Sequence, residues 1–174
     1  MAATIRSFDG KHPVIGTGVF IADTAAVIGD VVIGDQSSIW YGTVLRGNVM
    51  PIRVGARTSI QDGTVVHVTS GVSGTAIGSD CTIGHAAIIH ACTVEDRCLI
   101  GMGAILLDGA RIGSGSLVGA GALVTPGTDI PPGSLVLGAP AMVKRQLTRK
   151  EQAQLEESAV HYVELTGRYL AEQQ

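Results

Sequence analysis

Aliphatic residues recur every sixth position over most of this 174-residue chain, and that period restricts the fold more than any other feature. The series runs Ile15, Ile21, Val27, Ile33, Ile39, Leu45, resumes at Val54, Ile60, Val66 and again at Ile77, Ile83, Ile89. It then continues from Val94 through Ile100, Leu106, Ile112, Val118, Val124 and Ile130 to Val136. Four residues after each aliphatic stands a small or β-branched residue: Cys98, Ala104, Ala110, Ser116, Ala122, Thr128 and Ser134 in the last run. A helix needs apolar spacings of three and four, which a strict six does not supply. Six is a multiple of the β-strand period of two, so each hexad reads as a short strand plus a turn. The glycines Gly16, Gly34, Gly55, Gly78, Gly84, Gly101, Gly113 and Gly119 are expected to supply the tight corners. Three hexads close one triangular coil, and coils stack at the inter-strand spacing of about 4.8 Å. The chain therefore predicts an all-β solenoid, a parallel β-helix of about seven coils. Aromatics make up only 3% of the residues, so the interior must be filled by Ile, Val, Leu and Ala.

The three sides of the triangle can be named A, B and C, beginning with Ile15, Ile21 and Val27. The period slips between Leu45 and Val54, between Val66 and Ile77, and between Ile89 and Val94, and each slip falls at the C-to-A corner. Irregularity gathered at one edge of a regular solenoid marks a working face. The domain boundaries follow: residues 1–14 form a lead-in, 15–141 the repeat, and 142–174 a C-terminal helix packing on the coil or a neighbour. Thr148 followed by Glu151 is a capping box that starts this helix. Leu155, Ala159, Tyr162, Val163, Tyr169 and Leu170 give it an apolar stripe.

Formal net charge is −3 with no long run of Lys or Arg, which leaves no nucleic-acid footprint. No stretch has the length of a signal peptide or a membrane span. Cys81, Cys92 and Cys98 lack Cys-x-x-Cys spacing and read as small core residues in a reducing compartment, so a cytoplasmic protein is expected.

Three of the five histidines carry chemistry by position. His67 follows Val66 and His90 follows Ile89, two C-side aliphatics on adjacent coils. The two imidazoles therefore stack outward, one strand spacing apart, close enough to share one ion with metal–nitrogen bonds of about 2.1 Å. Arg46 follows Leu45 one coil earlier and completes the column. His85 is two residues after Ile83 and leaves the coil from side B. It is aimed at an ion held by a neighbouring chain, and three such contacts close a threefold ring.

These residues resemble the γ-class carbonic anhydrase family. The matches are Leu45-Arg46-Gly47, Ile60-Gln61-Asp62-Gly63, Val66-His67, Ile83-Gly84-His85-Ala86-Ala87-Ile88-Ile89-His90, Gly101-Met102-Gly103 and Gly138-Ala139-Pro140-Ala141. The resemblance implies a left-handed β-helix in a homotrimer, with metal between subunits: His67 and His90 bind from one chain and His85 from the next. It gives Gln61 the role of holding the bound water or bicarbonate, and Arg46 and Asp62 places in an interface ion-pair network. Asn48 stands where the family usually has aspartate, keeping hydrogen bonding without charge. Tyr162 resembles a helix tyrosine that short bacterial members place near the site, and with Gln61 and Asn48 it completes the candidate catalytic set. The loop Val68–Gly74 has no carboxylate, whereas the archetypal enzyme carries a glutamate proton shuttle there.

The reading that follows is hydration of carbon dioxide to bicarbonate with Zn²⁺, Fe²⁺ or Co²⁺ on three imidazoles. The rivals are a hexapeptide acyltransferase using a coenzyme A thioester, and a non-catalytic trimeric scaffold with a structural metal. No nucleic-acid or membrane partner is expected.

Overall fold

The computed structural model describes residues 3–172. Among them, twenty short strands precede one helix, Arg149–Glu172. The strands stack coil on coil in parallel, and the pairing follows the predicted columns. On side B, Ile21 pairs with Ile39, Ile39 with Ile60, Ile60 with Ile83, Ile83 with Ile100, Ile100 with Val118 and Val118 with Val136. On side C, Leu45 pairs with Val66, Val66 with Ile89 and Ile89 with Leu106. Side B forms an eight-stranded sheet. Sides A and C merge into a twelve-stranded sheet, because Ala26–Ile33 and Val44–Val54 run unbroken around their shared corner.

The interior ladder is sealed: Leu45, Ile60, Val66, Ile83, Ile89, Ile100, Leu106 and Val118 have no exposed surface. Cys81, Cys92 and Cys98 are free thiols buried in this column.

The corners work differently from the expectation about glycine. The left-handed backbone falls on the third residue after the inward aliphatic, and at the A-to-B corner it recurs in all seven coils, at Gly18, Gln36, Arg57, Asp80, Arg97, Gly115 and Gly133. Four of those seven are not glycine. Gly34, just after the aliphatic of its hexad, is needed for another reason: a Cβ there would lie 2.6 Å from the backbone nitrogen of Ala56 in the next coil. Gly84 repeats the arrangement, with Met102 N at 2.7 Å. These glycines let successive coils approach; the bend lies two residues later.

Strands also lie outside the repeat at both ends. Thr4–Arg6, within the lead-in, pairs in parallel with Ala26–Ile28 and covers the first coil. Residues 142–146, assigned to the helical tail, form instead a strand running antiparallel to Ser134–Leu137. Ala139–Pro140 turns the chain back at this point, so Met142–Gln146 completes the backbone pairing of the last side B strand before the helix starts.

The helix begins where the capping box places it. Glu151 N donates to Thr148 Oγ1 at 3.2 Å, and Thr148 N donates to the Glu151 carboxylate at 2.8 Å. Arg145 and these Thr148 contacts hold the Glu151 carboxyl down at about 2. Leu155, Ala159, Tyr162, Thr166 and Tyr169 follow at helical spacing and face side B of the same chain, across the first four coils. There Phe20, Trp40, Tyr41, Tyr162 and Tyr169 cluster, five of the six aromatics in the sequence. Trp40 Nε1 donates to Ser38 and Ser59 at 3.0 and 2.9 Å, fixing the indole against the sheet. No helix is long and apolar enough to cross a membrane among the described residues.

Two glycine substitutions should move stability in opposite directions. Gly34→Ala forces a methyl into the backbone of the next coil, with an expected loss of roughly 1–3 kcal/mol. Gly167→Ala, in the helix with open space around it, should stabilise by roughly 1 kcal/mol. Thermal denaturation of the two variants beside the parent reads both effects.

Candidate metal centre

The C-to-A corner carries a chain of polar contacts running up the stack. His67 and His90 are in register on adjacent strands, and their rings lie 5.2 Å apart between centroids. His67 Nδ1 and His90 Nε2 face each other at 3.1 Å. The outer nitrogen of each ring is already engaged: His67 Nε2 lies 3.1 Å from Asn48 Oδ1, and His90 Nδ1 lies 2.7 Å from Asp108 Oδ1. Asn48 Oδ1 also accepts from Arg46 Nη1 at 3.1 Å, which fixes the amide with its oxygen toward His67.

These contacts determine where the lone pairs point. Amide and carboxylate oxygens only accept, so they select Nε2–H on His67 and Nδ1–H on His90. In neutral rings, the two facing nitrogens are then both acceptors, with no proton between them. Two nitrogens bound to one tetrahedral ion at about 2.1 Å stand roughly 3.4 Å apart, close to the 3.1 Å found here. Burial, then the positive charge of Arg46, then His90, lowers the pKa of His67 and favours its neutral form. Thr69, and after it His90, hold the Asp108 carboxyl below the usual carboxylate range.

His85 stands elsewhere, at the B-to-C corner. It is exposed, and its Nδ1 meets Asp62 Oδ2 at 2.9 Å from the coil below. Gln61, only 5% exposed, sits beside them. Gln61, Asp62, His85 and Tyr162 line a hollow of about 340 Å³ backed by Trp40 and Tyr169. Burial, and then the Asp62 carboxylate, raises the pKa of Tyr162, with a contact to Gln61 acting the other way. One chain therefore presents two separate polar groups: Arg46, Asn48, His67, His90 and Asp108 on one corner, and Gln61, Asp62, His85 and Tyr162 on another. Among the described residues, no three His, Cys, Asp or Glu side chains of one chain converge to hold an ion.

Asp108 was missed by sequence reasoning. Ile89 pairs with Leu106 in the next coil, so Asp108 stands over Ala91, one place beyond His90, and its side chain reaches back to the ring. Counting from the inward aliphatics therefore does not place it in the histidine column.

A model of bacterial transferase hexapeptide repeats matches residues 12–47 and 91–126. A hexapeptide transferase family protein from Anaplasma phagocytophilum superposes with a TM-score of 0.91 at 44% identity, covering 95% of this chain and 98% of that one. The class is thus the hexapeptide-repeat left-handed β-helix. A Methanocaldococcus jannaschii relative named probable carbonic anhydrase is 52% identical over 152 residues, 87% of this chain and 95% of that protein. The Arabidopsis thaliana protein named gamma carbonic anhydrase 2, mitochondrial, is 47% identical across 97% of this chain, and the match spans 63% of the plant protein. The chain belongs to the γ-carbonic anhydrase family.

The lowered pKa of His67 sets a stability profile for the metal-free protein. A histidine harder to protonate folded than unfolded favours the native state at pH above its ordinary value near 6.5. Stability should fall as pH drops through that value and level off below the pKa of folded His67. Arg46→Met removes a positive neighbour, raises the His67 pKa and narrows this window; NMR titration and melting curves against pH check both.

Proposed function

We propose that this protein hydrates carbon dioxide to bicarbonate as a homotrimer, with each metal held by His67 and His90 of one chain and His85 of the next. The observation that carries the reading is His67 Nδ1 and His90 Nε2 facing each other at 3.1 Å while oxygens of Asn48 and Asp108 stand at the outer nitrogens, an arrangement that in neutral rings leaves lone pairs on the facing nitrogens. Zinc bound there supplies a Lewis acid that makes water a nucleophile near neutral pH. Iron(II) and cobalt(II) suit the same imidazoles.

The chain's own groups do the remaining work. Gln61 presents an amide, which can both donate and accept, to the hollow beside His85, and this suits orientation of a water or a small linear substrate. Tyr162 keeps its phenol proton at physiological pH and offers an O–H on the same side. Asn48 touches His67 and Arg46, so it orders a ligand instead of meeting the substrate. Asp62 holds the His85 ring, and Arg46 and Asp62 stand at the edges of the two half-sites, where a neighbouring chain would bring them together. Exposed Val65 and Ile88 beside the histidine pair, and Met102 beside His85, offer apolar surface for that contact. Two half-sites on different corners of a triangular rod suit a closed ring of three. An acyltransferase needs a single histidine as general base and gives no reason for a second imidazole facing it.

Chains carrying His67→Ala and chains carrying His85→Ala should each bind little zinc. Mixed trimers contain some interfaces with all three ligands, so zinc content should partly return on mixing. Mixed trimers that hold no more zinc than either parent would sink the shared site.

Gln61→Ala should lower steady-state hydration roughly 10²-fold with zinc content unchanged, and loss of zinc would show that its role is misassigned. With no carboxylate in Val68–Gly74, hydration by the parent should rise with imidazole buffer at fixed ionic strength. A full zinc complement with no hydration would favour a scaffold.

A further inference from the structure

Asp108 has no part in the resemblance that identified the other site residues, yet it makes the shortest contact to an imidazole of the pair. Its Oδ1 lies 2.7 Å from His90 Nδ1, and its Oδ2 accepts from Thr69 Oγ1 at 2.5 Å. Both oxygens are therefore committed. The backbone around it is pinned on two sides, with Gly109 N donating to Ala91 O below and Gly127 N donating to Asp108 O from above. Thr69 is itself held in a tight loop, where Val72 N and Ser73 N donate to its carbonyl. Both carboxylate oxygens are thus held in place, and for a neutral His90 an acceptor at that position selects the Nδ1–H form.

We propose that Asp108 is a positioning residue that fixes His90 with its Nε2 lone pair turned toward His67, and that Thr69 buttresses it. The proposal rests on the metal reading of His67 and His90 given above. Its chemistry is general: a ligating imidazole that donates its other N–H to a carboxylate is both oriented and made a better donor, and loss of such a partner costs about 10–100-fold in metal affinity. The loop Val68–Gly74 then gains a purpose without a carboxylate of its own, since it delivers the Thr69 hydroxyl. The first two irregular corners contribute one piece each, Asn48 and Thr69, and Asp108 reaches His90 from the next coil, where it stands over Ala91.

The test compares the parent protein, Asp108→Ala, Asp108→Asn and His90→Ala. Zinc affinity is measured by chelator competition, and imidazole ¹⁵N shifts are read on the metal-free proteins above the histidine titration range. In the parent, His90 should be the Nδ1–H form. In Asp108→Ala it should move toward the Nε2–H form, and zinc affinity should fall about 10–100-fold in both Asp108 variants, with the fold unchanged. A merely structural role would not move the tautomer. If the Asp108 variants bind zinc like the parent while His90→Ala does not, this proposal falls and the metal reading stands. If the parent binds no zinc, or His90→Ala binds it undiminished, both fall. Should the variants not fold, the parent decides alone: an Nε2–H form of His90 there overturns the proposal.

Discussion

Everything in this molecule depends on the backbone hydrogen bonds that join each coil to the next. They are parallel and in register, so a residue in one coil stands directly over its counterpart in the coil below. A narrow interior lined by Ile, Val and Leu enforces that register, because a one-residue slip would turn every aliphatic outward. The result is a rod in which position in sequence converts directly into position in space. His90 over His67 and Asp62 beneath His85 are products of that conversion, not of any local motif.

Regularity alone would place identical faces around the rod and leave no hollow and no convergence. The histidine pair gains its surroundings from the corner where the repeat is broken. Extra residues between Leu45 and Val54 bring Asn48 against His67, and the longer loop after His67 brings Thr69 to Asp108. The second half-site is built by another route: the helix lays Tyr162 and Tyr169 across side B next to Gln61 and His85. The scarce aromatics are spent on that seam because a wide contact between helix and sheet needs bulk that the interior of the coil has no room for.

The coil, its columns and the stacking of His67 on His90 were legible in the sequence because a strict period states which residues pair. The capping box at Thr148 and Glu151 was legible for the same local reason. Four things were not. The strand Met142–Gln146 has no inward aliphatic in step with the repeat, and its antiparallel direction depends on the turn before it. Asp108 was hidden because it stands one place beyond His90 in the register counted from the aliphatics, and only its side chain reaches back to the ring. The glycines were visible, but their cause was not: crowding between coils and a left-handed bend both select glycine, and only coordinates separate Gly34 from Gly18. Asn48 was singled out as a departure from the family pattern, but its contact with His67 required the fold of the widened corner.

The antiparallel strand at the end of the coil has a consequence for solution behaviour. A parallel β-helix is open at both ends, and each end shows a row of backbone donors and acceptors that match those of any other copy. Such a rod could grow end to end into a fibre. Met142–Gln146 answers the last strand of side B in the opposite direction, and Ala141 N and Gly138 O occupy the polar groups of Leu123 on side C. A second molecule arriving at that end finds a reversed strand and a turn in place of a matching ladder. The reversal is what gives the rod a finite length.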